Sequence, residues 1–149
     1  MNSMSSVLAQ DHRLCDEIFA EAERAAGAGE YPAAQALFAR FSDAMERHMR
    51  FEEETLFPAF DSATGNDAGP TAVMRHEHRA LRELLGRMND AIAQEQGAEY
   101  LGLGETLLVL LQQHNVKEEN VLYPMMEQVL AARRQEIAAE LEAAGLGEP

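Results

Sequence analysis

Two eleven-residue stretches decide the fold of this chain: HMRFEEETLFP at positions 48–58 and HNVKEENVLYP at positions 114–124. The second stretch repeats the first 66 positions later. Each begins with a histidine, carries a glutamate four residues on, and ends in proline. Because residues i and i+4 lie on one face of a helix, each histidine and its glutamate can point toward a common centre. The repeat therefore predicts two equivalent pairs of metal ligands on two helices.

The repeat extends upstream of these stretches. DHRLCDEIF at 11–19 aligns with EHRALRELL at 77–85 at the same offset. Each copy then contributes two histidines and one glutamate, and the two copies together supply enough ligands for two metal ions. The six candidate metal ligands are His12, His48, Glu52, His78, His114 and Glu118.

The length, charge and cysteine content exclude several classes of protein. The 149 residues suit one domain, which we expect to span 1–149 with its packed part at about 7–131. A net charge of −14 repels nucleic acid and anionic membranes, so neither is an expected partner. Cys15 is the only cysteine, which excludes an internal disulfide. Because the sequence has neither a membrane-spanning apolar run nor a signal-peptide pattern, we expect a cytoplasmic protein.

The distribution of breaks predicts four helices. Helix-forming residues dominate, and apolar residues recur at helical spacing between breaks at 27–32, 65–70 and near Gly97. This pattern predicts an all-α fold, namely an up-down-up-down four-helix bundle with short connections. Residues 133–144 predict a short C-terminal helical tail that ends at Gly145. The four main helices are expected at about 4–27, 31–62, 70–95 and 99–131.

The loop positions predict that the four histidines share one layer of the bundle. In an antiparallel hairpin, residues equidistant from the turn lie at the same height, because the rise per residue is constant. The midpoint of His12 and His48 is position 30, and that of His78 and His114 is position 96. Both midpoints fall in or beside predicted loops. Loop position and sequence repeat therefore select the same histidines independently.

The ligand types indicate the metal and its chemistry. Imidazole nitrogen and carboxylate oxygen together suit iron, manganese or zinc. Four imidazoles and two carboxylates able to bridge describe a dinuclear site with open positions for dioxygen, nitric oxide or peroxide. His76 competes with His78, but the two point in different directions and only His78 fits the repeat. A ferritin-like site needs Glu-x-x-His, and no histidine here has a glutamate three residues before it.

Neighbouring residues carry further expectations. Cys15 lies one turn after the first histidine, where we expect core packing rather than a redox role. Pro58 and Pro124 are expected to bend or end their helices. Phe57 and Tyr123 precede these prolines and suit the core, and Tyr123 can also place a hydroxyl near the site.

From about Val7 to Leu130 the sequence resembles the hemerythrin-like family, also called the HHE cation-binding domain. The resemblance implies a four-helix bundle around an oxo- or hydroxo-bridged centre of two iron ions. Glu52 and Glu118 would match the carboxylates that bridge the irons, and the four histidines would match ligand histidines. The motifs that carry the resemblance are Asp11-His12, His48-x-x-x-Glu52-Glu53-x-x-Leu56-Phe57-Pro58, Met74-x-x-Glu77-His78 and His114-x-x-x-Glu118-Glu119-x-x-Leu122-Tyr123-Pro124.

One departure from the oxygen-carrying hemerythrins narrows the expected function. Those proteins use a His-x-x-x-His on the third helix, whereas the position four after His78 is Arg82. Four histidines and two glutamates are closer to the relatives linked to iron–sulfur cluster repair and to nitric oxide or iron handling. We expect a non-haem di-iron protein that binds or senses a small ligand at an open iron position, rather than an enzyme.

Two alternatives remain open from the sequence. One is an iron-responsive interaction module, whose protein partner the sequence does not identify. The other is an iron donor in iron–sulfur cluster repair. Turnover of peroxide, or transfer of iron to an apo iron–sulfur protein, would indicate an enzyme or a repair role.

Overall fold

The computed structural model describes residues 3–148, which contain helices and turns and no strand. The all-α class is therefore confirmed, whereas the up-down-up-down order stays a prediction. Among the described residues, no helix has both the length and the hydrophobicity that crossing a bilayer requires. The seven α-helices are α1 (Met4–Gly27), α2 (Tyr31–Phe51), α3 (Phe57–Thr64), α4 (Pro70–Ala93), α5 (Gly97–Lys117), α6 (Tyr123–Val129) and α7 (Arg134–Ala144).

Local chemistry explains where the helices begin and end. The Ser3 hydroxyl accepts a hydrogen bond from the Ser6 amide at 3.1 Å and caps α1. Pro32 and Pro70 lie in the first turns of α2 and α4, where a missing amide hydrogen costs nothing. Gly65, at a φ of 69°, ends α3 in the left-handed conformation. The observed boundaries lie within a few residues of those expected.

The chain stays helical through Pro58 and Pro124, so these prolines do not end their helices, and the bend also expected at them stays a prediction. A π-helical turn precedes each proline, at Glu52–Leu56 between α2 and α3 and at Glu118–Leu122 between α5 and α6. In each turn the last bond reaches five residues back, to the carbonyl of the first glutamate. This wider turn displaces the carbonyls that a proline ring would otherwise meet. Both candidate ligand glutamates thus open a π turn.

Two clusters of buried apolar side chains fill the interior, with a polar layer between them. One cluster lies toward the α1–α2 and α4–α5 loops and includes Phe38 and Tyr100. The other lies around the π turns and α7 and includes Leu8 and Tyr123. Helix α1 packs against α2 and α5, and α4 packs against α5 and α2. On each of these four helices, one buried histidine lies along the chain between residues of the two clusters.

Candidate metal centre

Four buried histidines meet in the interior, one from each long helix. His12 lies on α1, His48 on α2, His78 on α4 and His114 on α5. The His12 and His48 rings lie 4.6 Å apart between centroids, and the His78 and His114 rings 4.9 Å apart. The structure therefore brings together the four histidines that the repeat and the loop positions select. His76 is exposed on α4 and lies outside this group.

Glu52 and Glu118, the two inner carboxylates, are fully buried among these rings. Each lies between the two ring pairs, because it approaches one histidine of each. Glu118 Oε1 lies 3.1 Å from His12 Nε2 and 3.3 Å from His114 Nε2, and Glu52 oxygens lie 3.1 Å from His78 Nε2 and 3.5 Å from His48 Nε2. All six candidate ligands thus lie in one cluster.

Four further carboxylates, which we call the outer carboxylates, hold the opposite ring nitrogens. Because a carboxylate only accepts, each Nδ1 carries a hydrogen and donates it, so that a ring in its neutral form presents the Nε2 lone pair to the centre. The bonds run from His12 to Glu119 at 2.7 Å, from His48 to Asp11 at 2.7 Å, from His78 to Glu53 at 2.6 Å and from His114 to Glu77 at 2.8 Å.

Sequence reasoning missed the outer carboxylates as functional residues, although the signal was present. Asp11 and Glu77 are related by the 66-residue offset, and so are Glu53 and Glu119. Each adjoins a candidate ligand in the chain but bonds to a histidine on another helix. The repeat therefore extends to the groups that orient the imidazoles.

Several atoms at the centre lack the hydrogen bonds that buried polar atoms normally make. Glu52 Oε1, Glu118 Oε2 and His78 Nε2 are buried without a hydrogen-bond partner among the described residues. One ligand atom from each of Glu52, His78, His114 and Glu118 lies within 4.8 Å of the others, as do atoms of His12, His48 and Glu118. Unpaired carboxylate oxygens and imidazole lone pairs converging in this way fit metal cations such as iron.

Comparison with known proteins agrees with this geometry. The family model of the hemerythrin HHE cation binding domain matches residues 3–126. The chain belongs to the hemerythrin HHE family. Two relatives of this HHE domain are both named iron-sulfur cluster repair protein YtfE. The one from Edwardsiella ictaluri (strain 93-146) is 36% identical over 90 residues, which is 54% of this chain and 40% of the relative.

The second relative, from Musicola paradisiaca (strain Ech703), is 34% identical over 93 residues, which is 55% of this chain and 41% of the relative. The match therefore spans about two fifths of the length of these curated relatives. No solved structure gives a significant match to the HHE domain.

Tyr123 breaks the two-fold similarity of this HHE centre. Its hydroxyl donates to Glu52 Oε2 at 2.6 Å and lies 3.0 Å from Glu118 Oε1. It also lies 3.3 Å from Nε2 of both His12 and His48. Burial, together with the two carboxylate charges, raises the pKa of Tyr123 well above its ordinary value. The sequence-based expectation of a hydroxyl near the site is therefore met by a neutral donor between the inner carboxylates.

The close packing of imidazoles and carboxylates moves their pKa values apart. Burial lowers the pKa of His114, but hydrogen bonding to Glu118 and the inner carboxylate charges outweigh burial and raise it to about 9. Burial also lowers the pKa of His48, but the charge of Glu52 and the hydrogen bond to Asp11 outweigh burial, so this pKa is raised well above its ordinary value. Despite its burial, Glu52 has a lowered pKa, chiefly because of the His48 charge. Without a cation, His48 and His114 therefore retain protons more readily than free imidazoles do.

A small cavity adjoins the centre on the side of the first apolar cluster. Its volume is about 10 Å³, close to the minimum that holds one water molecule. Cys15 lines the cavity, and burial raises the pKa of its thiol to about 12, so the sulfur stays protonated and suits packing better than metal binding. The other lining residues are His12, Met45, His48, Met49, Leu81, Leu111, His114, Asn115 and Glu118.

Proposed function

We propose that this HHE domain binds two iron ions and binds or senses a small ligand, such as dioxygen, nitric oxide or peroxide, at an open iron position. The proposal includes the single-domain organisation, the up-down-up-down four-helix topology and the cytoplasmic location expected from the sequence. The residues that would hold the metal are His12, His48, Glu52, His78, His114 and Glu118.

One observation carries the proposal. Four imidazoles have their Nδ1 atoms bound to carboxylates while their Nε2 atoms face two buried inner carboxylates. A structural role for these rings would leave the unpartnered oxygens of Glu52 and Glu118 without a hydrogen-bond donor, at a cost of roughly 1–3 kcal/mol each. Oriented rings with fixed tautomers are the arrangement that protein metal sites use.

The residues around the centre limit the size of the ligand that can reach it and the access of water. When bound, iron would supply an open coordination position and the capacity to exchange electrons with the ligand. The chain orients the imidazoles, holds a proton on the Tyr123 hydroxyl and excludes bulk water with the apolar cluster around Met49. The adjoining cavity of about 10 Å³ has room for one water-sized group and for no large substrate. A surface groove of about 720 Å³ between α1 and α7 contains none of the six candidate ligands.

The similarity to two proteins named for iron–sulfur cluster repair supports a second candidate function. In it, the domain would donate iron to a damaged cluster, and iron would be cargo. The third hypothesis is that the domain binds a protein partner in an iron-dependent way, without any reaction at the iron. Transfer of iron from loaded protein to an apo iron–sulfur protein, measured against direct ligand titration, separates these roles.

The metal site is tested by elemental analysis of protein reloaded anaerobically with ferrous iron. We expect about two irons per chain in the unmodified protein, and a strong loss in Glu52→Ala and in Glu118→Ala, because each inner carboxylate approaches a histidine of both ring pairs. His76→Ala is the matched control and should load normally, since His76 is exposed. Normal loading in both glutamate variants would show that the ligand assignment is wrong.

A further inference from the structure

The outer carboxylates differ in charge environment between the two halves of the centre. On the His78–His114 side, both carry a cation. The Arg82 guanidinium donates to Glu53 Oε2 at 2.8 Å and to Glu53 Oε1 at 2.9 Å. The Lys117 ammonium donates to Glu77. Both contacts lower the pKa of their carboxyl group despite partial burial. Arg82 also pairs with Glu46 at 2.9 Å, so its charge is shared between two carboxylates. Glu53 and Glu77 therefore act on their imidazoles with part of their charge offset.

On the His12–His48 side, no lysine or arginine among the described residues forms an ion pair with either outer carboxylate. Besides His48, Asp11 accepts a hydrogen bond from the neutral Gly147 amide at 3.0 Å, and the Arg47 charge acts on it without forming an ion pair. Glu119 has a like-charged neighbour, Asp16. Partial burial raises the pKa of Asp16, the His12 charge opposes this shift, and the Glu119 charge adds to it. This side therefore retains more of its negative charge than the His78–His114 side does.

The two copies of the sequence repeat differ at the positions that supply these cations. The 66-residue offset that relates the ligands also relates Arg82 to Asp16 and Lys117 to Phe51. A cation in the second copy thus corresponds to an anion or an apolar residue in the first. Arg82 occupies the position four residues after His78, and its guanidinium reaches the centre only through Glu53.

An outer carboxylate raises the basicity of the imidazole that it binds, and a more basic imidazole stabilises a more highly charged metal ion. A cation on that carboxylate draws charge away and weakens the effect. The cation also repels a nearby metal ion directly, since charges separated by several ångströms interact appreciably inside a protein. Both effects act in the same direction, so they add.

We propose that Arg82 and Lys117, acting through Glu53 and Glu77, make the two metal positions electrically inequivalent. In the one-electron-reduced centre, the His12–His48 side then holds the ferric ion and the His78–His114 side the ferrous ion. This inference rests on the proposed di-iron function and adds to it a fixed order of reduction. Arg82 and Lys117 are positioning residues, because neither touches the candidate ligands themselves.

The test is the separation between the two one-electron potentials of the iron-loaded protein, measured by reductive titration with dithionite and the electron paramagnetic resonance of the mixed-valence state. Arg82→Gln should lower the higher potential, because it removes a cation beside the ion that is reduced first. The comproportionation constant should fall about tenfold, equivalent to about 59 mV. Asp16→Asn should also reduce this constant, because it raises the lower potential.

Two further variants separate charge from geometry. Arg82→Lys keeps the charge but loses the two-point contact, so it should preserve most of the separation. Arg50→Gln removes an equal charge from an exposed arginine that pairs with Glu54, and should leave the separation unchanged. An Arg82→Lys protein that behaves like Arg82→Gln would overturn the electrostatic basis of the inference.

The outcomes distinguish this inference from the proposed function. Fewer than two irons per unmodified chain would contradict the di-iron function itself. Two irons, with a separation that Arg82→Gln leaves unchanged, would overturn the inference alone. A separation that widens in both Arg82→Gln and Asp16→Asn would place the ferric ion on the opposite side and also overturn it.

Discussion

The Tyr123 hydroxyl is the donor that the two inner carboxylates share, at 2.6 Å from Glu52 and 3.0 Å from Glu118. Its repeat counterpart, Phe57, stacks on His78 and has no hydroxyl. We therefore predict that Tyr123→Phe destabilises the metal-free protein by roughly 1.5–3 kcal/mol, the usual cost of losing a hydrogen bond to a charged group. Urea unfolding of metal-free protein measures this change.

Tyr100→Phe provides the matched control at the residue scale. The Tyr100 side chain is fully buried, but its hydroxyl has no hydrogen-bond partner among the described residues. Removing an unpaired buried hydroxyl should be neutral or stabilising. Equal destabilisation of the two variants would mean that the Tyr123 hydroxyl contributes only packing.

The convergence of the four histidines and the two inner carboxylates could be predicted from the sequence, but the contacts of the outer carboxylates could not. Helical periodicity places His48 and Glu52 on one face of a helix, and the number of residues from a loop gives the height of a residue in the bundle. Asp11, by contrast, follows the chain of α1 yet bonds to His48 on α2. Which imidazole a carboxylate reaches depends on helix rotation and separation, and neither is encoded in the spacing along one helix.

At the scale of elements, the two π turns show where local rules fall short. A proline inside a helix predicts a kink or an end. Here the strain at Pro58 and Pro124 is relieved by one wide turn that begins at the preceding candidate ligand, Glu52 or Glu118. Burial of Leu56 and Leu122 in the second apolar cluster favours keeping the chain helical. The packing of the element therefore outweighs the local preference of the proline.

The C-terminal helix α7 reaches the centre through the segment that follows it. The predicted helix end at Gly145 agrees with the structure, and beyond it the Gly147 amide donates to Asp11, the partner of His48. Gly147 has a φ of 78°, and an added Cβ would lie 3.1 Å from the Val7 carbonyl oxygen. We predict that Gly147→Ala costs more than the ~1–2 kcal/mol expected for a left-handed residue and weakens iron binding up to about tenfold.

Gly145→Ala is the control for the backbone cost of this change. Gly145 has a φ of 71°, but no atom outside its local segment lies within 4 Å of an added Cβ. The Gly145→Ala variant should therefore lose only the stability that a left-handed alanine costs and should retain normal iron affinity. Urea unfolding and competition with an iron chelator measure the two quantities. Equal losses in both variants would show that docking of Gly147 on Asp11 has no influence on His48.

At the scale of the whole molecule, the centre links folding to protons and to metal. In the folded protein without metal, the pKa of His114 rises from 6.5 to about 9, because contact with Glu118 and the inner carboxylate charges outweigh burial. The folded state thus holds this proton more tightly than the unfolded chain does. Its contribution to stability is complete below pH 6.5 and is lost as the pH rises to about 9.

We therefore predict that the free energy of unfolding of metal-free protein falls between pH 6.5 and about 9, by up to about 1.4 kcal/mol per pH unit for one proton. In iron-loaded protein this slope should vanish, because a metal-bound Nε2 cannot take the proton, and iron affinity should rise with pH over the same range. Urea unfolding at several pH values, with and without iron, measures both trends. His76→Gln should keep the slope, since His76 is exposed, and His114→Gln should reduce it. An identical slope in metal-free and loaded protein would mean that iron does not bind His114. Loss of the slope on loading would show that iron and the proton compete for Nε2 of His114, the histidine that the sequence repeat selects.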